Sequence, residues 1–192
     1  HTCALDDTGV VCWGFNGYGQ TAVPSLVNPT QVSAGSYHTC ALDDTGVVCW
    51  GANEYGQSTV PPLYNPTQLS GGLAHTCALD YTGLVCWGYN GYGQTTVPSL
   101  DNPTEVSAGD GFETCALDDT GVVCWGRNEY GQTDVPSLYN PAQVSSSLFH
   151  TCALDDTGVV CWGLSAFGAT SPPSLVIDPD GDGYSTQGGG DT

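Results

Sequence analysis

The chain has 192 residues, and its 20 acidic side chains stand against a single basic one, Arg127, which gives a formal net charge of −19 at pH 7. This balance excludes the usual electrostatic binding of nucleic acid and disfavours anionic membrane surfaces. No apolar run approaches the roughly 20 residues of a membrane helix, so membrane insertion is not expected.

The segment HTCALDDTGVVCWG opens the chain at residues 1–14 and returns four times with small changes. It defines five units of about 37 residues, which start near residues 1, 38, 75, 113 and 150. Repeats of this length are typical of propellers and solenoids, in which neighbouring units bury each other's apolar surface. We therefore predict one repeat domain over residues 1–176 and an acidic, glycine-rich tail over residues 177–192.

Each unit begins with two short β-prone runs separated by a turn sequence. In the first unit the runs are residues 3–5 and 10–13, and the intervening DDTG suits a tight turn whose glycine has a positive φ angle. This register places Cys3 opposite Cys12, within reach of a disulfide bond. The same spacing predicts five disulfides that use all ten cysteines: Cys3–Cys12, Cys40–Cys49, Cys77–Cys86, Cys115–Cys124 and Cys152–Cys161.

Metal binding is the competing interpretation of the paired cysteines. Structural zinc sites favour two to four residues between paired ligands and need four ligands, whereas each hairpin here has eight intervening residues and two cysteines. Disulfides are therefore favoured. Such dense pairing indicates an oxidising compartment, so we predict a protein that is secreted or displayed at the cell surface.

A third strand precedes each hairpin except the first. The candidate segments are QVSAG at 31–35 and its relatives at 68–72, 105–109 and 143–147. Both faces of the hairpin are apolar, with one set formed by Cys3, Leu5, Val10 and Cys12 and the other by Ala4, Val11 and Trp13. A sheet with two apolar faces must be packed between neighbours. We predict an all-β, β-propeller-like array of five short three-stranded blades, each with a disulfide in its hairpin.

The segment GSYHTCAL (35–42), followed by TGVVCWGANEYGQ (45–57), resembles the regulator-of-chromosome-condensation repeat. The resemblance covers about residues 1–170, and the short unit is most similar to the compact bacterial branch, which includes the secreted β-lactamase inhibitory propeller. The resemblance implies a β-propeller that binds other proteins. It implies no particular substrate, since fold alone does not carry function.

The number of strands leaves the closure of the array open. Five hairpins are present, but only four copies of the preceding strand. A five-bladed ring, part of a larger ring and an open array all remain compatible with this count. An open array has complementary ends, so copies could associate head to tail into a filament.

The tail contains a motif with metal chemistry. Asp178, Asp180 and Asp182 match the opening D-x-D-x-D-G of a calcium loop, with the carbonyl of Tyr184 and a water on Thr186 as further ligands. The twelfth position, where a bidentate glutamate belongs, is a glycine, so the motif is more similar to aspartate-rich calcium repeats of secreted bacterial proteins. Calcium is the predicted cofactor, and a solvated acidic linker is the alternative.

Three further repeat positions have two interpretations each. His1, His38, His75 and His150, with Glu113 in the fourth unit, either face one another around a metal or make a repeated hydrogen bond. The aspartate pairs in the turns either form a cation-binding rim or serve as turn formers. The Asn and Gln of each WGxNxYGQ segment either satisfy buried backbone groups or contact carbohydrate.

Catalysis is not expected, because every candidate acid, base or nucleophile is a member of the repeat background. One repeat position varies freely and is the candidate partner-binding rim: Phe15, Ala52, Tyr89, Arg127 and Leu164. The uniformity of the remaining sequence favours a structural role. We predict a non-enzymatic, extracellular structural or adhesive protein whose partners are proteins, copies of itself foremost, with glycans as a further candidate. A secreted monomeric binding propeller, either a protein inhibitor or lectin-like, is the alternative.

Overall fold

The fold is built from one hairpin used five times. The computed structural model describes residues 1–172, and the predicted tail lies outside them. The first unit contributes β1 (Thr2–Asp6) and β2 (Gly9–Trp13). The other four units contribute three strands each: β3 (Gln31–Ala34), β4 (His38–Asp43) and β5 (Gly46–Gly51); β6 (Gln68–Gly71), β7 (His75–Asp80) and β8 (Gly83–Gly88); β9 (Glu105–Ala108), β10 (Glu113–Asp118) and β11 (Gly121–Gly126); β12 (Gln143–Ser146), β13 (His150–Asp155) and β14 (Gly158–Gly163). A 3-10 turn at Ala166–Gly168 follows.

The acidic turn sequence closes each hairpin. In the second unit, Oδ1 of Asp43 accepts hydrogen bonds from the backbone N–H of Thr45 at 2.7 Å and from its hydroxyl at 2.6 Å. Gly46 completes the turn at φ 115°, a conformation that favours glycine. The turn fixes the register, which pairs Asp43 with Gly46 and Cys40 with Cys49. The predicted turn and register are confirmed.

All five predicted disulfides are present. Their Cα–Cα separations are 4.0 to 4.1 Å, and every one joins residues nine positions apart. A bond that closes a loop of this length stabilises the fold by about 2–3 kcal/mol through the entropy of the unfolded chain. The described residues contain no free cysteine. Each hairpin is therefore closed by a covalent bond of its own, which does not depend on its packing against another hairpin.

Each of the last four units forms a three-stranded antiparallel sheet, with the hairpin's first strand in the middle. The first unit forms a two-stranded sheet, as the strand count predicts. Consecutive sheets pack face to face, because the first strand of one blade lies on the first and middle strands of the blade before it. Within residues 1–172, the strands of the first and fifth blades do not pack on each other, so the array is open.

The core lies between the blades, and both hairpin faces contribute to it as predicted. At the junction of the second and third blades, the earlier blade presents its cysteine, leucine and valine face. The later blade presents the opposite face and its first strand. The contributing side chains are Cys40, Leu42, Val47 and Cys49 against Leu69, Ala78, Val85 and Trp87. No helix among the described residues is long and apolar enough to cross a bilayer.

Candidate functional sites: blade junctions, open faces and an aromatic ridge

A hydrogen-bond network repeats at each blade junction and centres on a threonine. Between the second and third blades, the Thr76 hydroxyl donates to the carbonyl of Gln57 at 2.9 Å, and Nε1 of Trp87 donates to the same oxygen at 2.9 Å. Nε2 of His38 lies 2.8 Å from the Thr76 oxygen. Because the threonine proton is already used, His38 must be the donor in that contact. One loop carbonyl, one indole, one hydroxyl and one imidazole therefore join two blades.

The histidines of this network are buried in their neutral form. Burial lowers the pKa of His38 to about 4. For His75, burial and the neighbouring His38 lower the pKa to about 3. Gly35 packs so closely on the His38 ring that an added Cβ would lie 2.5 Å from Cε1, which explains the glycine there. The predicted repeated hydrogen bond is present for His1, His38 and His75, and within residues 1–172 no group of three metal-ligating side chains is formed.

Glu113 occupies the histidine position in the fourth blade. It is fully buried, and neither of its carboxylate oxygens has a hydrogen-bond partner. Burial raises its pKa to about 8, an increase that the nearby Asp110 assists and Arg127 opposes. Glu113 is therefore protonated at neutral pH. The loop before it has one residue more than its equivalents, and Phe112 in that loop has a φ of 66°.

A second set of contacts joins the strand that precedes each hairpin to the corresponding strand of the next blade. The pairs are β3 with β6, β6 with β9, and β9 with β12. Between the second and third blades, the Gln31 side chain accepts from the N–H of Leu69 at 2.9 Å and donates to its carbonyl at 3.1 Å. The Ser33 hydroxyl accepts from the N–H of Gly71 at 2.9 Å. At the next two junctions, the same accepting contacts are made by Gln68 with Ser70 and by Glu105 with Ser107. We call this pair of side chains the strand clamp.

The fifth blade carries a strand clamp that no described residue engages. Gln143 and Ser145 are exposed there, and Leu154 on the same face is 38% exposed. The first blade leaves the opposite face uncovered, because Val11 is 51% and Trp13 is 53% exposed. By contrast, Trp87, the equivalent of Trp13 in the third blade, is 8% exposed. The two ends of the described array thus present the apolar halves of a blade junction, but the two-stranded first blade lacks the strand that a strand clamp holds.

An aromatic surface lies at the end of the blades opposite the acidic turns. Tyr55 packs on Tyr89 with ring centroids 5.0 Å apart, and Tyr89 packs on Phe112 at 5.1 Å. Arg127 extends the row, since its guanidinium carbon lies 5.4 Å from the centre of the Tyr92 ring. We call this row the aromatic ridge: Tyr55, Tyr89, Tyr92, Phe112, Arg127, Tyr130 and Phe149.

Phe15, Tyr18 and Tyr37 form a separate ring group at the junction of the first two blades. Their centroids are 5.3 to 6.5 Å apart, and all three rings are more than 40% exposed. We call this set the first ring group. Both aromatic surfaces combine residues from consecutive units, so each depends on the blades being packed.

Comparison with known proteins identifies the repeat. The sequence profile described as Regulator of chromosome condensation (RCC1) repeat matches five segments that together cover more than half of the chain: residues 1–20, 30–57, 67–94, 104–132 and 142–169. The chain belongs to the RCC1 repeat family. None of the curated proteins matches the sequence at a significant level.

Solved structures with RCC1-like propellers are similar in fold. The ectodomain of the receptor kinase CR4 from Physcomitrella patens matches with a TM-score of 0.73 and 27% identity, covering 91% of this chain and 51% of that one. The ectodomain of the receptor kinase ACR4 from Arabidopsis thaliana gives 0.70 and 27%, covering 91% and 65%. Prp20p from Saccharomyces cerevisiae gives 0.73 and 20%, covering 92% and 58%. The chain therefore spans about half to two thirds of the length of these structures.

The RCC1 repeat position predicted as a partner-binding rim divides into two groups. Phe15, Tyr89 and Arg127 belong to the first ring group or the aromatic ridge. Ala52 is only 8% exposed, so its side chain offers little surface, and Leu164 is half-buried. Sequence reasoning missed the other members of the ridge. Their signal was an aromatic residue three positions after the variable one and another just before the histidine position.

The aspartate pairs of the turns are turn formers. In the second, fourth and fifth units, the first aspartate of the pair also accepts a hydrogen bond from the loop ahead of the hairpin, as in the 2.8 Å contact between Oδ2 of Asp155 and the N–H of Tyr139. The second binds an asparagine, as in the 2.7 Å contact between Asn140 and Asp156. Hydrogen bonds from Thr157 and Tyr139 lower the pKa of Asp155. These carboxylates therefore fasten the loop to the hairpin.

The Asn and Gln of the first four RCC1 units satisfy backbone groups, as the first interpretation predicts. Oε1 of Gln57, a buried side chain, accepts from the N–H of Tyr55 at 3.0 Å. Oδ1 of Asn53 accepts from the N–H of Ser58 at 3.0 Å. The predicted calcium ligands Asp178, Asp180, Asp182, Tyr184 and Thr186 lie outside the described residues.

Proposed function

We propose that this RCC1-repeat chain is a non-enzymatic extracellular protein that acts through protein–protein contacts, and that copies of it associate head to tail through the two open blade faces. The product is a structural or adhesive assembly in which the fifth blade of one copy packs on the first blade of the next. The proposal uses the apolar part of the contact that joins the blades within the chain, because the first unit has only β1 and β2 and offers no strand to Gln143 and Ser145.

The complementarity of the two open faces carries this proposal. The fifth blade presents Leu154, 38% exposed, where the second blade uses the equivalent Leu42 to pack on the next blade. The first blade presents Val11 and Trp13 where the third blade buries its own valine and tryptophan face. An uncovered apolar face of this kind is typical of a protein-binding surface.

Two observations support an extracellular location. Five disulfides in the described residues are suited to an oxidising compartment. Two of the similar solved structures are receptor kinase ectodomains. The proposal of a protein partner has support from the fold as well, because the structure of the similar Prp20p was described with its binding to Gsp1p and histones.

The absence of catalysis is also part of the proposal. The buried histidines are engaged in the junction network, and the turn aspartates hold loops. The histidines with hydrogen bonds and the turn aspartates therefore have structural partners that repeat from blade to blade, which is not the singular arrangement that an active site requires.

Light scattering over a range of concentrations tests the assembly. We expect the unmodified chain to form oligomers whose mass grows with concentration, and Val11→Glu to be monomeric because it places a charge in the open face. Val27→Glu is the matched control, since Val27 is 49% exposed against 51% for Val11 but lies in the loop between the first two units. Parallel measurements with calcium and with a chelator test whether the aspartates of the tail take part.

A monomeric unmodified chain at all concentrations would contradict head-to-tail association and leave the monomeric binding propeller as the function. Oligomers that persist in Val11→Glu would also contradict it, because the contact would then use another surface. A calcium effect that Asp178→Asn, Asp180→Asn and Asp182→Asn together fail to remove would assign the ion to a different site.

A further inference from the structure

The repeat places equivalent rings at successive blade junctions, which allows one junction to be compared with another. At the junction of the fourth and fifth blades, the three equivalent positions are Arg127, Tyr130 and Phe149. At the junction of the first and second blades, the same positions are the first ring group: Phe15, Tyr18 and Tyr37. The repeat positions are thus the same at the two junctions, and the side chains at one of the three positions differ in kind, Arg127 against Phe15.

At the later junction, the rings hold a cation. The guanidinium carbon of Arg127 lies 5.8 Å from the centre of the Tyr130 ring and 6.0 Å from that of Phe149, distances at which aromatic faces attract cations. The carboxylate of Glu129 pairs with the guanidinium. Tyr92 of the preceding unit lies closer still, at 5.4 Å, and Arg127 occupies the position that Phe15 fills at the earlier junction, so Arg127 is an example of cation–ring contact on this surface.

At the earlier junction, the rings are free to contact a partner. Phe15 is 57%, Tyr18 48% and Tyr37 43% exposed, and no basic side chain of the described residues lies over them. A group of large exposed rings is typical of protein-binding surfaces, where aromatic residues are enriched. Three rings with centroids within 6.5 Å of each other form one contact area.

The net negative charge of the molecule favours a positively charged partner at the first ring group. The chain has 20 acidic residues and one basic residue, and the single basic residue is already paired. Four carboxylates are exposed in the loops at the aromatic end of the blades: Glu54, Asp110, Glu129 and Asp134. Such a field attracts basic partners and repels acidic ones.

We propose that the first ring group binds arginine or lysine side chains of a basic extracellular protein on the exposed faces of its rings, by the same attraction between cation and ring that Arg127 shows. The occupant is an exposed basic segment of the partner, with its cations over the ring faces and its remaining charges near the carboxylates. This surface lies apart from Val11 and Trp13, so it is independent of head-to-tail association.

Titration calorimetry with model peptides tests this proposal. The probe is a short peptide of alternating arginine and glycine, and its matched control is the same peptide with citrulline, which keeps the shape of arginine and removes the charge. We expect the arginine peptide to bind and the citrulline peptide not to bind. We expect Tyr18→Ser and Tyr37→Ser each to weaken binding by about two- to fivefold, the usual effect of one exposed cation–ring contact.

Tyr64→Ser and Tyr81→Ser are the control variants. These tyrosines are 65% and 86% exposed and lie beside the acidic turns at the other end of the blades, so they report general attraction to an acidic surface. Equal weakening by Tyr18→Ser and Tyr64→Ser would overturn the proposal, as would equal binding of the arginine and citrulline peptides. Because Val11→Glu should leave the peptide affinity unchanged, a failure here is distinguishable from a failure of head-to-tail association.

Discussion

At the scale of single residues, the fourth unit differs most from the repeat. Four units have a histidine at the start of the hairpin, and the fourth has Glu113, which is fully buried without a hydrogen-bond partner for either oxygen. A histidine can donate from Nε2 to the threonine of the next blade, as His38 does. A carboxyl group can do so only while it is protonated. Glu113 makes no such bond, so its ionisation would place an unpaired buried charge at the junction between the fourth and fifth blades.

The pH dependence of stability follows from Glu113. Its folded-state pKa of about 8 lies above the ordinary value of 4.5, so the folded chain retains a proton that the unfolded chain loses. Stability should therefore fall as the pH rises from about 4.5 through 8. We expect Glu113→Gln to be more stable than the unmodified chain at about pH 9, by about 1–3 kcal/mol, and equally stable at about pH 5. Denaturant unfolding at both values measures this.

The exposed Glu54 provides the control for that experiment. Glu54→Gln makes the same chemical change at an exposed position, so its profile shows what the substitution does without burial. If Glu113→Gln and the unmodified chain had identical profiles of stability against pH, another group would be responsible for the loss of stability at alkaline pH.

At the scale of the element, the hairpin could be predicted from the sequence, but most of the contacts that join it to neighbouring blades could not. The DDTG turn, the Cys40–Cys49 pairing and the two apolar faces are local, and each depends on residues at most ten positions apart. The strand clamp spans 38 positions, from Gln31 to Leu69. Its signal was present, because a Gln or Glu followed two residues later by Ser recurs in every first strand. The backbone groups that it binds carry no side-chain signature, so its partner was not predictable.

The junction network is the element with the sharpest mutational test. Thr76→Val keeps the shape of the side chain but removes the hydroxyl that receives the proton of His38 and donates to Gln57. A buried donor is then left without a partner, so we expect a loss of about 2–3 kcal/mol in the free energy of unfolding. Chemical denaturation of the purified variant measures the loss.

Thr2 supplies the matched control. It occupies the same repeat position in the first blade, where it is exposed, so Thr2→Val should change stability by less than about 0.5 kcal/mol. Similar losses for the two substitutions would mean that the intrinsic preference of valine and threonine for strands, and not the network, sets the effect.

At the scale of the whole molecule, position in the array decides the environment of each blade. The middle three blades are covered on both faces, whereas the first and fifth each leave one face open within the described residues. The stability of such an array is a sum over units and neighbouring interfaces, so the end units should open most easily. The sequence predicted five blades but left the closure open. Closure depends on the rotation between successive blades, which no single unit encodes.

Hydrogen exchange of the dilute chain measures this gradient. The segment HTCALD occurs in four units and ETCALD in the other, so intrinsic exchange rates are nearly matched and differences report structure. We expect amides of β7 to exchange more slowly than those of β1 and β13, because the third blade has two covered faces. Uniform protection across the five hairpins at dilutions where the chain is monomeric would contradict the open array.

The same gradient gives the molecule an optical property. Five indoles occupy one repeat position, yet Trp13 is 53% exposed while Trp87 and Trp162 are each 8% exposed. Emission from a solvent-facing indole lies at longer wavelength than emission from a buried one, so the spectrum of the chain is a mixture dominated at its red edge by Trp13. Whatever covers the first blade, a second copy or another protein, would shift that edge towards the blue, and the protein thus carries its own spectroscopic label at one end of the array.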